Sequence, residues 1–183
     1  MAKLGVVLAL FSLLATIPWT QSFKVENWAT MLESQKKTVT SLQFYFHDIV
    51  SGKNPSAVRV AKANDTDKSP TFFGALTMAD DPLTETPDPK SNLVGRAQGL
   101  YGSAGQQELG FLMAMNFAFT DGVYNGSSVS LLGRNSPLHP IREMPIVGGT
   151  GMFRLARGYA IAQTHQLDPT GDAIVHYNVT VVH

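Results

Sequence analysis

The 183-residue sequence contains no cysteine, which excludes disulfides, thiolate nucleophiles and cysteine-ligated metals. It also lacks an excess of charge of either sign, because 14 basic side chains balance 14 acidic ones. Nucleic acids and anionic membrane surfaces are therefore not expected as partners. What remains is a chain with 44% hydrophobic and 15% charged residues, which is apolar enough to fold around a core and suggests one domain.

Several motifs of catalysis and cofactor binding are missing as well. There is no G-x-S-x-G elbow of an α/β-hydrolase. The glycine-rich stretch at residues 148–151 is not followed by the helix that a phosphate-binding loop needs, and we interpret it as a turn or bend between two strands. The five histidines lie far apart without the paired spacing of metal ligands. We therefore predict no metal and no cofactor.

The longest apolar run begins near the N-terminus and is too short for a membrane span. Lys3 precedes a mostly apolar run over residues 4–17, and small polar residues follow at Thr20 and Ser22. A span needs roughly 20 apolar residues, whereas a charged start, a short apolar centre and a small-residue end are typical of a secretory signal peptide. We predict that residues 1–22 are this signal peptide.

The rest of the chain divides into a polar N-terminal arm over residues 23–40 and one folded domain over residues 41–183. Three Asn-x-Ser/Thr sequons, at Asn64, Asn125 and Asn178, agree with export and are predicted glycosylation sites. The expected product is a secreted glycoprotein.

The folded domain shows about eight short runs rich in Val, Phe, Tyr, Ile and Thr, separated by turn residues, and no convincing amphipathic helix. In residues 111–119, every second residue is phenylalanine or methionine, so Phe, Met, Met, Phe and Phe share one face of the strand, which we predict to be buried. A glycosylated Asn178 faces solvent, so the alternate residues of 175–181 point inward. The pattern predicts an all-β fold, either a sandwich or a closed barrel, with the proline-rich connection at residues 82–92 over a barrel mouth.

An acid occurs within an aromatic strand, FYFHDIV at residues 44–50. Because side chains alternate between the two faces of a strand, Phe44, Phe46 and Asp48 share one face. A buried carboxylate needs a cation or a donor, or it stays protonated. Asp48 is therefore either a core aspartate held by backbone donors or an arginine, or a general acid or base in an apolar pocket. Arg142 is the candidate opposite charge, unless it is a surface arginine paired with Glu143.

Two further candidates have equally open interpretations. Tyr101 offers a phenol to the pocket or is an ordinary buried tyrosine. The pair Asp80-Asp81 before Pro82 forms a turn or touches a ligand.

Several stretches of the chain resemble the plant dirigent protein family, in order from Leu42 to the C-terminus: FYFHDIVSGKNPSAV, DDPLT, LVGRAQGLY, NFAFTDGVYNGSSVSLLGRN, REMPIVGGTGMFRLARGYA and TGDAIVHYNV. This resemblance implies an eight-stranded antiparallel β-barrel, secretion to the plant apoplast or cell wall, and a homo-oligomer, a trimer. It also implies that the protein has no oxidative centre of its own.

In the role that the resemblance implies first, a separate oxidase (a laccase or peroxidase) makes phenoxy radicals from a monolignol such as coniferyl alcohol. The barrel then holds two radicals so that their coupling gives one stereoisomer of a lignan, and an acid assists cyclisation of the quinone methide that follows. By motif, the resemblance assigns Asp48 and Arg142 as catalytic residues. The substrate-binding residues would be Phe46, Asp81, Tyr101, Asn135 and Thr164.

The chain departs from lignan-forming members at three features. They carry an aspartate where Asn135 stands, a second tyrosine where Ser103 stands, and terminal cysteines that are missing here. The chain is more similar to the subgroup with pterocarpan synthases, which are isoflavanol dehydratases; for that reaction a single acid such as Asp48, steadied by Arg142, would suffice. Three hypotheses stand: stereoselective radical coupling, isoflavanol dehydration, and a cell-wall binding or scaffold protein whose pocket does no chemistry.

Overall fold

The computed structural model describes residues 37–183. The predicted signal peptide and residues 23–36 of the predicted arm lie outside the described residues. The first strand begins at Val39, two residues before the predicted start of the folded domain. No helix within residues 37–183 is long and apolar enough to cross a membrane.

The described part of the chain consists of β-strands and three short 3-10 turns. The strands are β1 (Val39–Asp48), β2 (Ala57–Ala61), β3 (Leu76–Thr84), β4 (Leu93–Ser103), β5 (Phe111–Phe119), β6 (Ser128–Asn135), β7 (Arg142–Thr150), β8 (Arg157–Leu167) and β9 (Ala173–Val182). The turns are Thr66–Lys68, Gly122–Tyr124 and Gly151–Phe153.

The strands form an antiparallel sheet that closes on itself. Their order is β1-β9-β8-β7-β6-β5-β4-β3, and a further pairing of β1 with β3 completes the ring. The short strand β2 pairs with the first half of β3, whereas β1 pairs with β3 near its end, where Phe46 lies opposite Leu83. Eight strands therefore close the barrel and β2 extends its wall, which confirms the predicted eight-stranded antiparallel β-barrel.

Closure requires neighbouring strands to bend and approach closely. A Cβ atom at Gly99 would collide with the carbonyl of Ala114, and one at Gly158 with the carbonyl of Thr180, so glycine permits both contacts. β-Bulges add local curvature. Register shifts of this kind occur in the pairings β2–β3, β3–β4, β6–β7 and β8–β9.

The barrel interior is filled by the alternate residues that the sequence pattern placed there. Phe117 and Tyr177 are buried together with their alternate neighbours on β5 and β9, which confirms the predicted inner faces. The ring of Phe44 lies edge-on to Phe117, with 5.0 Å between ring centroids, and is stacked on Tyr177 at 5.9 Å. These aromatic contacts occupy the middle of the barrel and leave open space nearer one end.

The glycine-rich stretch at residues 148–151 joins two strands. Gly148, Gly149 and Thr150 end β7, and Gly151 begins a 3-10 turn that leads toward β8. The backbone at Gly151 has a φ of 60°, a left-handed conformation that glycine adopts readily because it lacks a Cβ atom. No helix follows it, in agreement with the predicted turn.

Candidate functional site

One end of the barrel contains a cavity of about 570 Å³, within the range typical of small-molecule sites. Most of its wall is apolar and aromatic, with contributions from Phe46, Phe111, Met113 and Tyr177. A few polar side chains converge on this wall, and five of them were predicted for the site: Asp48, Tyr101, Asn135, Arg142 and Thr164. With Phe46, six of the seven predicted site residues line the cavity, and Asp81 does not. Cavities of this composition bind flat, mostly apolar molecules with a few polar groups.

The cavity opens at the barrel end where β4 ends and β5 begins. Ala75 and Ser103, which lie near the start of β3 and at the end of β4, line it. The proline-containing connection after β3 leaves the strand at Thr84, which pairs with Leu93 at the opposite end. None of its residues, 85–92, lines the cavity. β3 extends through Pro82 to Thr84, so the connection is shorter than the predicted 82–92 and lies at the barrel end opposite to this cavity.

Asp48 ends β1 and contributes its carboxyl to the cavity wall. The hydroxyl of Tyr101 donates to it, at 3.0 Å from Oδ2 and 3.2 Å from Oδ1. Among the described residues, neither an arginine nor a backbone N–H bonds to this carboxyl, although these are the usual partners of a structural aspartate. The pKa of Asp48 is raised to about 6, chiefly by burial; the hydrogen bond from Tyr101 opposes the rise, and the nearby charge of Asp172 adds to it. Asp48 can therefore give or take a proton near neutral pH.

Tyr101 is buried beside Asp48 and remains a phenol. Its pKa is raised by burial and by the negative charge of Asp48, so the hydroxyl keeps its proton and acts as the donor. Its ring lies 5.2 Å from that of Phe111, which fixes its orientation. The prediction placed Tyr101 either in the pocket or in the core, and the structure gives it both surroundings.

Asp81 lies on the inner face of β3 but is completely buried and does not line the cavity. If the pairing of Phe46 with Leu83 continued by two residues, Asp81 would stand opposite Asp48. Ser56 donates to its Oδ1, and its Oδ2 has no partner within the described residues. Burial, and next the charge of Asp48, raise the pKa of Asp81 to about 8. Asp81 thus holds a proton at neutral pH from a position behind the cavity wall.

Arg142 is the buried cation of the cavity wall and is only 5% exposed. Its Nη1 donates to Thr164 Oγ1 at 2.9 Å and to the carbonyl of His139 at 3.2 Å, and its Nε donates to Asn135 Oδ1 at 3.2 Å. No carboxylate lies within salt-bridge distance of it in residues 37–183, and Glu143 is exposed. Burial lowers the pKa of Arg142, but the ordinary value is so high that the guanidinium stays charged at neutral pH. The alternative of a surface arginine paired with Glu143 does not describe this residue.

The neutral side chains around Arg142 leave its charge uncompensated. Asn135 and Thr164 both line the cavity and offer oxygen acceptors without a negative charge. Tyr177 is fully buried nearby, and burial raises the pKa of its phenol, so it too is neutral. Asp48 is the one carboxylate among the cavity-lining residues of the described chain. A buried, unpaired cation is costly, which makes it a strong indication of a ligand that carries negative or developing negative charge.

The cavity also involves residues that sequence reasoning did not select. Arg59, Phe72 and Tyr177 line it, and of these only Tyr177 had been predicted to point inward. The period-two pattern of β9 identified the orientation of Tyr177, but no local pattern marks Arg59 or Phe72 as cavity residues.

The predicted glycosylation sites lie on the outside of the barrel. Asn64 and Asn125 are exposed, and Asn178 is partly exposed; their modification stays a prediction. Within residues 37–183 no group of three or more His, Asp or Glu side chains is arranged to hold a metal ion.

Comparisons with known proteins agree with this architecture. The family model described as Dirigent-like protein matches residues 39–182. Dirigent protein 23 of Arabidopsis thaliana is 64% identical over 165 residues, which cover 89% of this chain and 88% of that protein. Pterocarpan synthase 1 of Glycine max is 51% identical over 156 residues, covering 84% of both chains.

Solved structures of dirigent proteins have a similar fold. The pterocarpan synthase dirigent protein GePTS1 superimposes with a TM-score of 0.76 at 48% sequence identity, covering 83% of this chain and 88% of that one. A second pterocarpan synthase dirigent protein, PsPTS1, gives a TM-score of 0.75 at 49% identity, covering 82% of this chain and 98% of that one.

Proposed function

The chain belongs to the dirigent-like protein family, and we propose that its cavity binds a phenolic substrate and sets the stereochemistry of a reaction that passes through a quinone methide. Asp48 is the proton donor and acceptor in this proposal. Arg142 stabilises the oxygen on which negative charge develops. Phe46, Tyr101, Asn135 and Thr164 hold these two groups or the substrate in place.

The reaction that fits these residues best is dehydration of an isoflavanol, the reaction that the family resemblance implies for the pterocarpan synthase subgroup; relatives and solved structures similar to this chain carry the name pterocarpan synthase. Asp48 gives its proton to the leaving hydroxyl, the carbon–oxygen bond breaks and water departs. A ring phenol supplies the electron pair for this cleavage: it releases its proton to solvent and becomes the carbonyl of a quinone methide. A second, internal phenol then attacks the electrophilic carbon and forms the ether ring. The proton of this second phenol passes to Asp48, which restores the acid, and the carbonyl regains a proton from solvent as its ring becomes aromatic again.

The observation that carries this proposal is the combination of one cavity acid with one uncompensated cation. Asp48 has a pKa of about 6, so a useful fraction is protonated in weakly acidic surroundings. Arg142, bound by an amide and a hydroxyl in place of a carboxylate, keeps its full charge for the quinone methide oxygen. General acid catalysis of this kind contributes on the order of 10²–10⁴-fold, and fixed orientation of the internal phenol adds to it.

A second candidate is stereoselective coupling of phenoxy radicals that a separate laccase or peroxidase supplies. The cavity volume of about 570 Å³ and its aromatic wall favour this candidate because they give room for two small aryl rings. Asp48 would then assist cyclisation of the coupled quinone methide. Asn135 counts against a mechanism that needs two acids, since an amide transfers no proton at neutral pH.

The proposal includes export to the plant cell wall as a glycosylated homotrimer. The predicted signal peptide and the exposed Asn64 and Asn125 support export, and the trimer follows from the family resemblance. Mass spectrometry of protein secreted from plant cells, before and after glycosidase treatment, tests cleavage and glycosylation together.

Chiral chromatography of two parallel reactions tests the function. One reaction contains purified protein and a racemic isoflavanol without oxidant; the other contains purified protein, coniferyl alcohol and a laccase. The Asp48→Asn variant is the control in both. We expect ring closure of one isoflavanol enantiomer in the first reaction, and loss of it in the variant.

The other outcomes separate the alternatives. An enantiomeric excess confined to the laccase reaction would make the protein a stereo-directing auxiliary. If neither reaction responds, the cavity does not act on these phenols, and a binding or scaffold protein becomes the better description.

A further inference from the structure

Phe72 occupies an unfavourable backbone conformation at the mouth of the cavity. Its φ of 55° lies in the left-handed region, which bulky side chains rarely adopt. Its side chain is 50% exposed and yet lines the cavity. A strained, half-exposed aromatic residue beside a functional cavity calls for an explanation in terms of function.

The conformation of Phe72 is imposed by neighbouring hydrogen bonds. Ser103 at the end of β4 donates its hydroxyl to the carbonyl of Thr71, and its own carbonyl accepts the N–H of Gly74 at 2.9 Å. Thr71 Oγ1 in turn donates to the carbonyl of Gly105 at 2.6 Å. Both Ser103 and Thr71 are buried. The residues on either side of Phe72 are therefore fastened to the β4 wall, and the ring is presented at the mouth as a fixed surface.

Ser103 also contributes to the cavity itself. Its small side chain lines the wall, while an aromatic ring is supplied to the mouth by the adjacent loop, at Phe72.

A cation lies against the same ring. The guanidinium carbon of Arg59 lies 5.8 Å from the centroid of the Phe72 ring, a cation–π distance. Arg59 is placed there by a register shift in β2 between Arg59 and Ala61, and bulges of this kind re-aim side chains next to binding sites. Asp67 accepts a bond from Arg59 Nη1 at 3.3 Å. Arg59 also lines the cavity.

Much of the remaining mouth is apolar. Leu138 is 68% exposed, and Leu167 and Val50 are also exposed large hydrophobic residues, although all three line the cavity. An exposed apolar rim that is continuous with a cavity indicates a ligand that extends to the mouth.

We propose that Phe72, backed by Arg59, is a specificity-determining residue that binds the second aryl ring of a two-ring phenolic substrate. The reacting phenol then lies inside, between Asp48 and Arg142, and the distal ring packs against Phe72. The inference rests on the proposed function and deepens it, because it selects two-ring phenols, such as an isoflavanol or an already coupled dimer, over single-ring monolignols.

Calorimetric titration with two stable probes tests this inference. The two-ring probe is an isoflavan with free phenols, which lacks the leaving hydroxyl and so is not converted. The single-ring probe is coniferyl alcohol without oxidase. The test variant is Phe72→Gly, because glycine accepts the left-handed conformation and removes the ring without adding strain.

The chain offers a matched control in Phe73. It is the next residue, it is 37% exposed, and it does not line the main cavity. Phe73→Gly therefore removes a similar ring from the same loop. Phe72→Trp provides the rescue, since it restores an aromatic surface at the mouth.

We expect Phe72→Gly to weaken binding of the two-ring probe by about five- to tenfold, the contribution of an aromatic pair and its contact area. Its affinity for the single-ring probe should change less than about twofold, and Phe72→Trp should recover most of the loss. Phe73→Gly should bind both probes like the parent. Circular dichroism of each variant should show the parent's strand signal.

Three results would overturn the inference. Parent-like binding of the two-ring probe by Phe72→Gly would make the strain a feature of the loop alone, with the proposed function intact. Tighter binding of the single-ring probe by the parent chain would reject two-ring selectivity and favour radical coupling. Binding of neither probe by the parent chain would remove the proposed function and this inference together.

Discussion

Replacing Asp48 by asparagine should stabilise the fold while removing activity. The substitution keeps the shape of the side chain and an oxygen that can accept from Tyr101, but it removes the charge. In the folded chain, burial raises the pKa of Asp48 from 3.8 to about 6. The ionised form is therefore disfavoured by folding, and stability is highest when the group is protonated.

The size of the expected stabilisation follows from the difference between the pKa of Asp48 in the folded and in the unfolded chain. The folded state holds the proton more tightly than the unfolded state, so the free energy of unfolding falls as pH rises from about 4 to about 6. One pKa unit corresponds to 1.36 kcal/mol, so the loss at pH 7 is on the order of 2–3 kcal/mol. The Asp48→Asn variant lacks this loss. Its melting temperature at pH 7 should exceed that of the parent by roughly 5–10 °C, given the size of the domain.

Thermal unfolding at pH 4, 5.5 and 7, followed by circular dichroism, measures this difference. We expect the two proteins to melt at similar temperatures at pH 4 and to separate as pH rises. Asp81 is present in both chains, but loss of the Asp48 charge lowers its pKa, which adds to the stabilisation of the variant as pH rises. A variant that is less stable than the parent at pH 7, or a difference that does not change between pH 4 and 7, would refute the assignment of Asp48 as a buried acid with a raised pKa.

Three other substitutions test the surroundings of this acid. Tyr101→Phe removes the hydroxyl that stabilises the carboxylate, so the pKa of Asp48 should rise above 6 by about one unit, as a carbon-13 carboxyl titration by NMR would show; a lower pKa would contradict the hydrogen-bond assignment. Asn135→Asp would neutralise Arg142 and should slow isoflavanol ring closure by roughly tenfold or more, whereas a faster reaction would contradict the role of the free cation. Asp81→Asn should flatten the fall in stability that the parent shows in urea titrations as pH rises toward 8, because the pKa of Asp81 is raised to about 8; an unchanged slope would mean that Asp81 is ionised in the folded chain.

The inner faces of the strands could be predicted because alternation is a local property of the sequence. Phe44, Phe46 and Asp48 share a face in the structure as the pattern indicates, and so do the alternate residues of 175–181. The same reasoning works for an acid as for a phenylalanine, since the backbone, and not the chemistry of the side chain, fixes the direction. The resemblance then predicted the eight-stranded barrel, which is confirmed, and assigned Asp48 as the catalytic acid, which stays a prediction.

Contacts between distant residues could not be read from local patterns. Arg142 meets Asn135 and Thr164 because β6, β7 and β8 are neighbours in the barrel. Asp81 is fully buried, does not line the cavity, and accepts a hydrogen bond from Ser56, which precedes β2. Both facts depend on strand order and register across the closed sheet.

The position of Phe72 could not be predicted for a different reason. Its place at the mouth depends on a left-handed backbone conformation that phenylalanine does not favour. Side-chain bonds from Ser103 and Thr71 hold that conformation, and neither residue type signals such a role in sequence. Departures from local preference of this kind are expected at functional sites.

The most direct test of the account is the pH dependence of isoflavanol ring closure by the parent chain and by Asp48→Asn, measured as kcat/KM without oxidant. We predict that the parent rate falls as pH rises through about 6, where Asp48 loses its proton, and that the variant loses on the order of 10²–10⁴-fold in rate at every pH below that point. A variant that keeps the parent rate and the parent pH profile would contradict the central claim that Asp48 transfers the proton.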